Sequence, residues 1–473
     1  MQSDNLSKLI HKNFSFEPTD EQQEAIGKFC DFLLDGDNDS LFLLKGYAGT
    51  GKSSLIGAVV RTMNKIQQKP VLLAPTGRAA KVFASYAGQN AYTVHKKIYR
   101  RKELPDEPDC FVLTENTHTD TIFIVDEVSM ISNDKRDSIF GSGHVLNDLI
   151  YYVYSIEGCR LILVGDSAQL PPVSQKESPA LNTDVLKEYG LTVDEITLTQ
   201  VVRQSQKSGI LANATLLRQA LDSGKTDVFP KIQTKQYPDI QIVTGTDLIE
   251  CLEECHQRDG AEETIVISRY NKRTNRFNDG IRSHVLHREE ELSNGDLLLV
   301  AKNNYFWTEQ FKDRGFDFIA NGDIMQVRKI GSTHEKYGFH FRDITAYFPY
   351  YNFEISLKIL METLHSETPA LSKEDSDRLF YSVLEDYAGI KSKRDRMKKV
   401  KENQYYNAIQ IKYAYAVTCH KAQGGQWRNV FLDIPYIQKE HLGVEFYRWL
   451  YTAFTRAKER IYLINPPENM LIK

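Results

Sequence analysis

The sequence predicts an α/β fold in which helices cover both faces of parallel sheets, a doubly wound arrangement. Apolar, β-branched runs alternate with helical patterns along the chain, which is typical of parallel sheets joined by crossover helices. Several runs end directly in polar, glycine-containing or acidic loops, where open α/β sheets bind their ligands. The runs begin at Val71, Thr121, Arg160, Thr264, Val430 and Arg460.

Length and composition indicate a multidomain globular protein. Its 473 residues are too many for one ordinary core, so we expect three or four units of ~100–200 residues each. No run of ~18 apolar residues occurs and the N-terminus has no long apolar stretch, so we expect a cytoplasmic protein without a membrane partner. Six scattered cysteines predict free thiols and no structural metal. A net charge of −4 does not by itself indicate nucleic acid.

A glycine-rich turn follows the first apolar run and precedes a predicted helix that begins at Lys52. Residues 41–54 read LFLLKGYAGTGKSS. Glycines let backbone N–H groups converge on a phosphate, Lys52 can reach the β/γ-phosphates, and Ser53 can bind Mg²⁺. The alternative is a chance glycine turn, which the preceding strand and the Gly-Lys-Ser ending disfavour. The predicted ATP-binding residues here are Gly46, Gly49, Thr50, Gly51, Lys52, Ser53 and Ser54.

Two later strands deliver candidate catalytic side chains at their polar ends. TIFIVDE ends in Asp126 and Glu127; one carboxylate suits Mg²⁺ and the next suits a base for the attacking water. Alone, such a pair would more often cap a helix or lie at the surface. The following strand leads to Gln169, which could orient water or sense the γ-phosphate, or could belong to a polar turn.

Seven short blocks resemble, in order, the helicase motifs of superfamily one. They read GYAGTGKSS, APTGRAAKV, IVDEVSM, VGDSAQLPPV, LTQVVRQS, VTCHKAQGGQW and YTAFTRAKERIYLI, and the match extends from Thr19 to about Ile464. They look most like the RecD/Dda branch, whose members move five-prime to three-prime. The resemblance implies two RecA-like doubly wound parallel-sheet domains of the P-loop NTPase class, with ATP and Mg²⁺ as cofactors.

The resemblance also implies two insertions and a division of the chain. We expect a first RecA-like domain at 1–95 and 121–196, a β-hairpin insertion at 96–120, and a second RecA-like domain at 197–288 and 408–473. An SH3-like and helical insertion would occupy 289–407, with small β-structure from Leu297 to Phe348. The helical pattern from Ile355 to Asn407 is a departure from the compact insertion that the resemblance implies. The basic run 391–401 either contacts phosphates or is a solvated helix face.

The same resemblance assigns Lys52 to the phosphates, and Ser53 and Asp126 to magnesium. It assigns Glu127 to the position of the base and Gln169 to that of the γ-phosphate sensor. Gln22 resembles the glutamine that reads adenine, although its neighbour Gln23 leaves the register open.

Arg203 and Arg456 resemble the two arginines that reach the γ-phosphate across the domain cleft. A guanidinium suits this role because it stays charged and grips phosphate oxygens in bidentate fashion. A lone arginine would otherwise form a surface ion pair.

Candidate contacts to single-stranded DNA fall in two groups by the same resemblance. Hydroxyls and a lysine suit sequence-independent phosphate contact, whereas a lone histidine more often belongs to the core. Phe111 is a candidate aromatic at the tip of the strand-separating hairpin, or it fills a local core. The backbone-contact candidates are Thr76, Thr93 and His95 in the first domain, and Thr418, His420 and Lys421 in the second.

These expectations together predict an ATP- and Mg²⁺-dependent DNA helicase or translocase that acts as a monomer on single strands and duplex junctions. Two alternatives stay open: a single-strand translocase that unwinds poorly, and a nucleotide-switched binding or loading module that does not step. A P-loop kinase for small substrates is disfavoured, because its chemistry calls for neither the loop at Gln423 nor two distant arginines. The sequence does not identify protein partners or distinguish DNA from RNA.

Overall fold

The computed structural model describes residues 3–102, 110–134, 141–202, 207–308, 311 and 318–472. Its strands are β1 (Ser40–Gly46), β2 (Lys69–Ala74), β3 (Ala91–Thr93), β4 (Tyr99–Lys102), β5 (Cys110–Leu113), β6 (Thr121–Val125), β7 (Arg160–Gly165), β8 (Thr192–Leu198), β9 (Ile240–Val243), β10 (Thr264–Ser268), β11 (Leu297–Val300), β12 (Ile324–Lys336), β13 (Phe339–Phe348), β14 (Phe353–Leu360), β15 (Ile409–Tyr413), β16 (Ala416–Thr418), β17 (Trp427–Asp433) and β18 (Ala457–Ile464).

Most of the α-helices lie between strands of the two parallel sheets. They are α1 (Ser3–Asn13), α2 (Asp20–Leu34), α3 (Lys52–Lys65), α4 (Gly77–Ala87), α5 (Val94–Ile98), α6 (Val145–Tyr154), α7 (Thr183–Lys187), α8 (Gly209–Asp222), α9 (Leu248–Asp259), α10 (Asn271–Gly280), α11 (Lys373–Glu385), α12 (Lys393–Lys401), α13 (Cys419–Ala422) and α14 (Val444–Phe454). Within the described ranges, none of them combines the length and apolar character that a membrane crossing needs.

The first lobe is a parallel six-stranded sheet with the order β3-β2-β6-β7-β1-β8 and the helices α1 to α7. Alternate residues of β1 point to opposite faces: Phe42 and Leu44 join one apolar cluster, and Leu41 and Leu43 join another. Both faces are therefore buried under helices, which explains why these strands are continuous apolar runs. The doubly wound prediction is confirmed for this lobe.

The second lobe is a parallel five-stranded sheet with the order β16-β10-β17-β18-β9. Helices α8, α9, α10, α13 and α14 belong to it. Helix α8 packs closely against α14, so the chain passes into this lobe directly after β8. This sheet is the second parallel one that the apolar runs at Thr264, Val430 and Arg460 predict.

A closed barrel of strands β11 to β15 is inserted between β10 and β16. It confirms β-structure from Leu297 to Phe348, but the expectation of helix from Ile355 onward is wrong for its first residues, because β14 runs to Leu360. Helices α11 and α12 follow and pack on the barrel through an apolar cluster that includes Phe341, Val383 and Val400. The fifth strand, β15, begins at Ile409, beyond the boundary at 407 that we expected.

Candidate active site

The glycine-rich loop joins β1 to α3 in the first lobe. Gly49 and Gly51 have φ angles of 76° and 79°, in the left-handed region that favours glycine. A Cβ on Gly51 would lie 2.4 Å from Gln22 Nε2. The Lys52 ammonium donates to the carbonyls of Gly46 (2.6 Å) and Tyr47 (2.9 Å) and therefore lies along the loop. The loop is thus a tight turn at a helix N-terminus, the geometry that suits a phosphate.

The remaining loop residues differ in exposure. Thr50 is buried and its hydroxyl donates to the Tyr47 carbonyl, whereas Ser53 is exposed and Ser54 is partly buried. An exposed Ser53 hydroxyl is compatible with a role as a metal ligand at the first turn of α3.

Gln22 lies beside this loop, and Gln23 is exposed on the other side of α2. The Gln22 side chain forms a capping box with Thr19, whose N–H donates to Gln22 Oε1 at 2.9 Å. Its Nε2 donates to the carbonyl of Thr50 at 2.8 Å. Gln22 is therefore the glutamine that contacts the nucleotide loop, and its contact with adenine stays a prediction.

The two adjacent carboxylates follow β6. Asp126 accepts hydrogen bonds from the N–H of Glu127 (2.8 Å) and from the hydroxyl of Tyr86. Burial and the neighbouring charge of Glu127 together raise the pKa of Asp126 to about 6. Ser53 lies within reach of the same Tyr86 hydroxyl. A buried carboxylate beside a second carboxylate and a hydroxyl fits a divalent cation, which would offset the repulsion between the two negative charges.

Glu127 has a φ of 54°, which is unusual for a residue with a side chain. Such strained conformations concentrate at functional sites, where the surrounding structure holds them. This conformation turns Glu127 out of the strand direction of Asp126, so the two carboxylates can take different roles.

The loop after β7 supplies Gln169 and a carboxylate that the sequence analysis did not identify, Asp166. Gln169 is buried, and the described residues offer no hydrogen-bond partner to its Oε1. Asp166 is also buried, with its Oδ2 4.0 Å from Lys52 Nζ. Burial raises the pKa of Asp166, although the positive charge of Lys52 opposes the shift. The only signal for Asp166 was its place at the end of an apolar strand.

One of the two predicted arginines can be located. Arg456 follows α14 in the second lobe, and its Nη1 lies 3.9 Å from Glu127 Oε1 in the first lobe. Its Nε donates to the carbonyl of Thr452 and its Nη1 to that of Gly425, so the guanidinium is held from its own lobe. Arg203 lies outside the described residues; Val202, just before it, donates its N–H to the carbonyl of Gly49 at 3.0 Å.

Two of the three first-lobe candidates for contact with single-stranded DNA cap helices. Thr76 caps α4 and accepts from the N–H of Ala79, and Thr93 caps α5 and accepts from the N–H of Lys96. Thr93 is only 5% exposed. Burial lowers the pKa of His95 to about 4, so this imidazole is neutral near pH 7. The contact of these three residues with single-stranded DNA stays a prediction.

The second-lobe candidates lie around α13. Thr418 is its N-terminal flanking residue, His420 is exposed, and the Lys421 ammonium donates to Asn321 Oδ1 at 3.1 Å. Burial lowers the pKa of Lys421. The loop that follows α13 approaches the first lobe at Gly424. A Cβ at this position would lie 3.1 Å from the Thr76 hydroxyl. Thr76 of the first group therefore lies next to the loop that follows the second group.

Phe111 does not lie at an exposed hairpin tip, which corrects our expectation. It belongs to β5, where it pairs with Arg101 of β4, and it is only 6% exposed. Its ring centroid lies 4.2 Å from that of Tyr305, which in turn lies 5.3 Å from Phe318. Residues 103–109, which connect β4 to β5, lie outside the described residues. Phe111 thus anchors the hairpin on the segment that follows β11. This agrees with the alternative that Phe111 fills a local core.

The basic run forms α12. Only Val400 is buried in it, and Lys398 and Lys399 lie near Glu402. This arrangement favours the solvated helix face over a dedicated phosphate site.

Comparison with known proteins gives two family matches. Residues 17–232 match the family described as AAA domain, and residues 413–464 match the UvrD-like helicase C-terminal domain. The first covers the P-loop, both carboxylates and Gln169, and the second covers Lys421 and Arg456.

Among the curated proteins, an uncharacterized protein of Acanthamoeba polyphaga mimivirus is 22% identical, over 93% of this chain and 98% of its own length. An uncharacterized protein of Methanocaldococcus jannaschii is 24% identical, over 97% of this chain and 40% of its own. The ATP-dependent RecD2 DNA helicase of Deinococcus radiodurans is 32% identical, over 37% of this chain and 21% of its own. The chain therefore spans less than half the length of two of these relatives.

Among solved structures, a Pif1 helicase described in a study of unwinding at forked duplex DNA covers 97% of this chain and 95% of its own, with 17% identity and a TM-score of 0.49. The two family matches and the RecD2 relative support the resemblance to ATP-hydrolysing superfamily one helicases of the RecD branch.

Proposed function

We propose that this chain is a superfamily one DNA helicase of the RecD/Dda branch that steps along single-stranded DNA and separates duplex, using ATP with Mg²⁺. The observation that carries the proposal is the 3.9 Å approach of Arg456, from the second lobe, to Glu127 beside the P-loop of the first. Because the site is completed from both lobes, hydrolysis and lobe movement are coupled.

The residues around the P-loop take separate roles in this proposal. The loop amides and Lys52 bind the triphosphate, and Ser53 and Asp126 would hold Mg²⁺, which would offset the negative charge of the phosphate oxygens. Glu127 accepts the proton of the attacking water. Gln169, whose buried Oε1 lacks a partner among the described residues, orients that water.

Arg456 and Arg203 stabilise the charge that develops on the γ-phosphate. Loss of the γ-phosphate removes the charge that attracts them, so the cleft can reopen. If the two lobes bind single-stranded DNA tightly in alternation, each cycle of ATP hydrolysis moves the protein along the DNA. The five-prime to three-prime direction is supported by the resemblance to the RecD/Dda branch alone.

The test compares hydrolysis and strand separation on three substrates: duplex DNA with a five-prime tail, duplex DNA with a three-prime tail, and the same duplex with an RNA tail. We expect single-strand-stimulated ATPase and unwinding from the five-prime tail, with Lys52→Ala as the inactive control. Strong ATPase without strand displacement would favour a translocase that unwinds poorly. ATP turnover that single strands do not stimulate would favour a switch that does not step. Unwinding from the three-prime tail would overturn the direction.

A further inference from the structure

We infer that Tyr451, on α14 of the second lobe, is a positioning residue that makes the P-loop site depend on lobe closure. It touches neither the predicted base nor the predicted magnesium ligands and would act through Asp166 and the P-loop backbone. The inference rests on the proposed function, because it concerns how the same site is switched.

The Tyr451 hydroxyl makes two hydrogen bonds to the first lobe. It donates to Asp166 Oδ2 at 2.7 Å and accepts from the N–H of Ala48 at 2.8 Å. Burial raises the pKa of Tyr451 well above its ordinary value, so the hydroxyl keeps the proton that it donates. One side chain of the second lobe therefore joins the P-loop backbone to the carboxylate that lies 4.0 Å from Lys52 Nζ.

The residues on either side of Ala48 are also covered by the second lobe. The Tyr47 hydroxyl donates to Asp222 Oδ1 at 3.1 Å, and a Cβ on Gly49 would lie 3.0 Å from Leu211. Both partners belong to α8, which packs against α14. Three consecutive P-loop residues thus contact two helices that belong to the second lobe and pack against each other.

Withdrawal of Tyr451 has a defined consequence for Lys52. The hydroxyl shares the negative charge of Asp166 Oδ2, and without it Lys52 is the charged group left beside that oxygen, while Asp166 Oδ1 keeps its hydrogen bond from the Ala168 N–H. A lysine held by Asp166 is less free to follow the β/γ-phosphates. Opening of the lobes would therefore weaken the hold of Lys52 on the phosphates, because the second lobe withdraws Tyr451. This effect is separate from the withdrawal of Arg456.

Tyr447 provides a matched control. It lies one turn earlier on α14, is equally buried, and its hydroxyl donates to the carbonyl of Val228 within the second lobe. Tyr→Phe at either position removes one buried hydroxyl and keeps the ring.

The experiment measures ATP turnover of Tyr451→Phe and Tyr447→Phe with and without single-stranded DNA. We expect Tyr451→Phe to lower the stimulated kcat about tenfold, the effect of losing a hydrogen bond to a charged group. The KM for ATP should rise as well, because Lys52 follows the β/γ-phosphates less freely, whereas the unstimulated rate should change less than about twofold. Tyr447→Phe should leave both rates close to those of the unmodified chain.

Asp166→Asn separates this route from a general loss of packing. If Tyr451 acts through Asp166, the double variant Asp166→Asn with Tyr451→Phe should lose no more than the worse single variant. Multiplied losses, equal effects of the two Tyr→Phe variants, or an unchanged Tyr451→Phe would overturn the inference alone. An unmodified chain whose ATPase ignores single strands would overturn the proposed function as well.

Discussion

At the scale of single residues, the contact between the lobes depends on a glycine. Gly424 has a φ of 71°, and a Cβ there would lie 2.8 Å from the Cβ of Ala79 on α4. Its neighbour Gln423 donates from Nε2 to the carbonyl of Leu170 at 2.6 Å. The loop of the second lobe thus fits against the first lobe only while position 424 carries no side chain.

Gly424→Ala should therefore reduce single-strand-stimulated ATPase several-fold. Gly88→Ala is the control, since Gly88 has a similar φ of 76° at the end of α4 but open space around it. Both variants carry a left-handed backbone cost of roughly 1–2 kcal/mol, which thermal melting will report. Only Gly424→Ala also separates the lobes, so equal loss of stimulation in the two variants would refute this account.

Residue roles were predictable where they depend on neighbours in the chain. The Gly-Lys-Ser ending after a strand indicated Lys52 and Ser53 because a P-loop is a local turn. Asp166 and Tyr451 were missed because their contact joins positions 285 residues apart, and no local pattern encodes it.

At the scale of elements, the β4–β5 hairpin is held by its packing on the barrel insertion. Phe111 fills this contact with Tyr305, and a large aromatic removed from such a site leaves a cavity. The hairpin also pairs along four residues of each strand, from Tyr99 to Lys102 and from Cys110 to Leu113. Its strands should therefore persist when the anchor is lost, while its position relative to the barrel should not.

Phe111→Ala should lower the rate of duplex separation by about tenfold or more and leave single-strand-stimulated ATPase nearly unchanged. The reason is that Phe111 packs against Tyr305 of the insertion and belongs to the predicted strand-separating element. Stopped-flow unwinding and ATPase on the same preparation measure both. Tyr305→Ala should behave alike, and the double variant should be no worse than either. A parallel fall in ATPase would instead assign Phe111 a purely structural role in the first lobe.

The elements themselves were partly predictable. The six apolar runs are strands because both faces of each sheet are buried. Strand β14 was missed although Ile355, Leu357 and Ile359 alternate with polar residues, because the consecutive apolar residues 359–361 interrupt the period of two. Closure of the barrel by β15 could not be predicted, since it joins strands separated by two helices.

At the scale of the whole molecule, two parallel sheets meet across a cleft that contains the candidate ATP site. The order of blocks in the sequence indicated two such lobes. It could not give their mutual placement, which depends on contacts such as Tyr451 with Ala48 and Gln423 with Leu170. The account therefore claims that ATP is cleaved only when side chains of both lobes are assembled.

The most direct test is single-turnover hydrolysis of ATP by Arg456→Ala and Arg456→Lys with saturating single-stranded DNA. Arg460→Ala, on strand β18, is the control for loss of a nearby arginine. Removal of an arginine that stabilises the transition state should cost about 10³-fold or more in rate, with nucleotide and strand affinities retained and little rescue by lysine. If Arg456→Ala hydrolyses ATP at the rate of the unmodified chain, the second lobe does not complete the site and the account is contradicted.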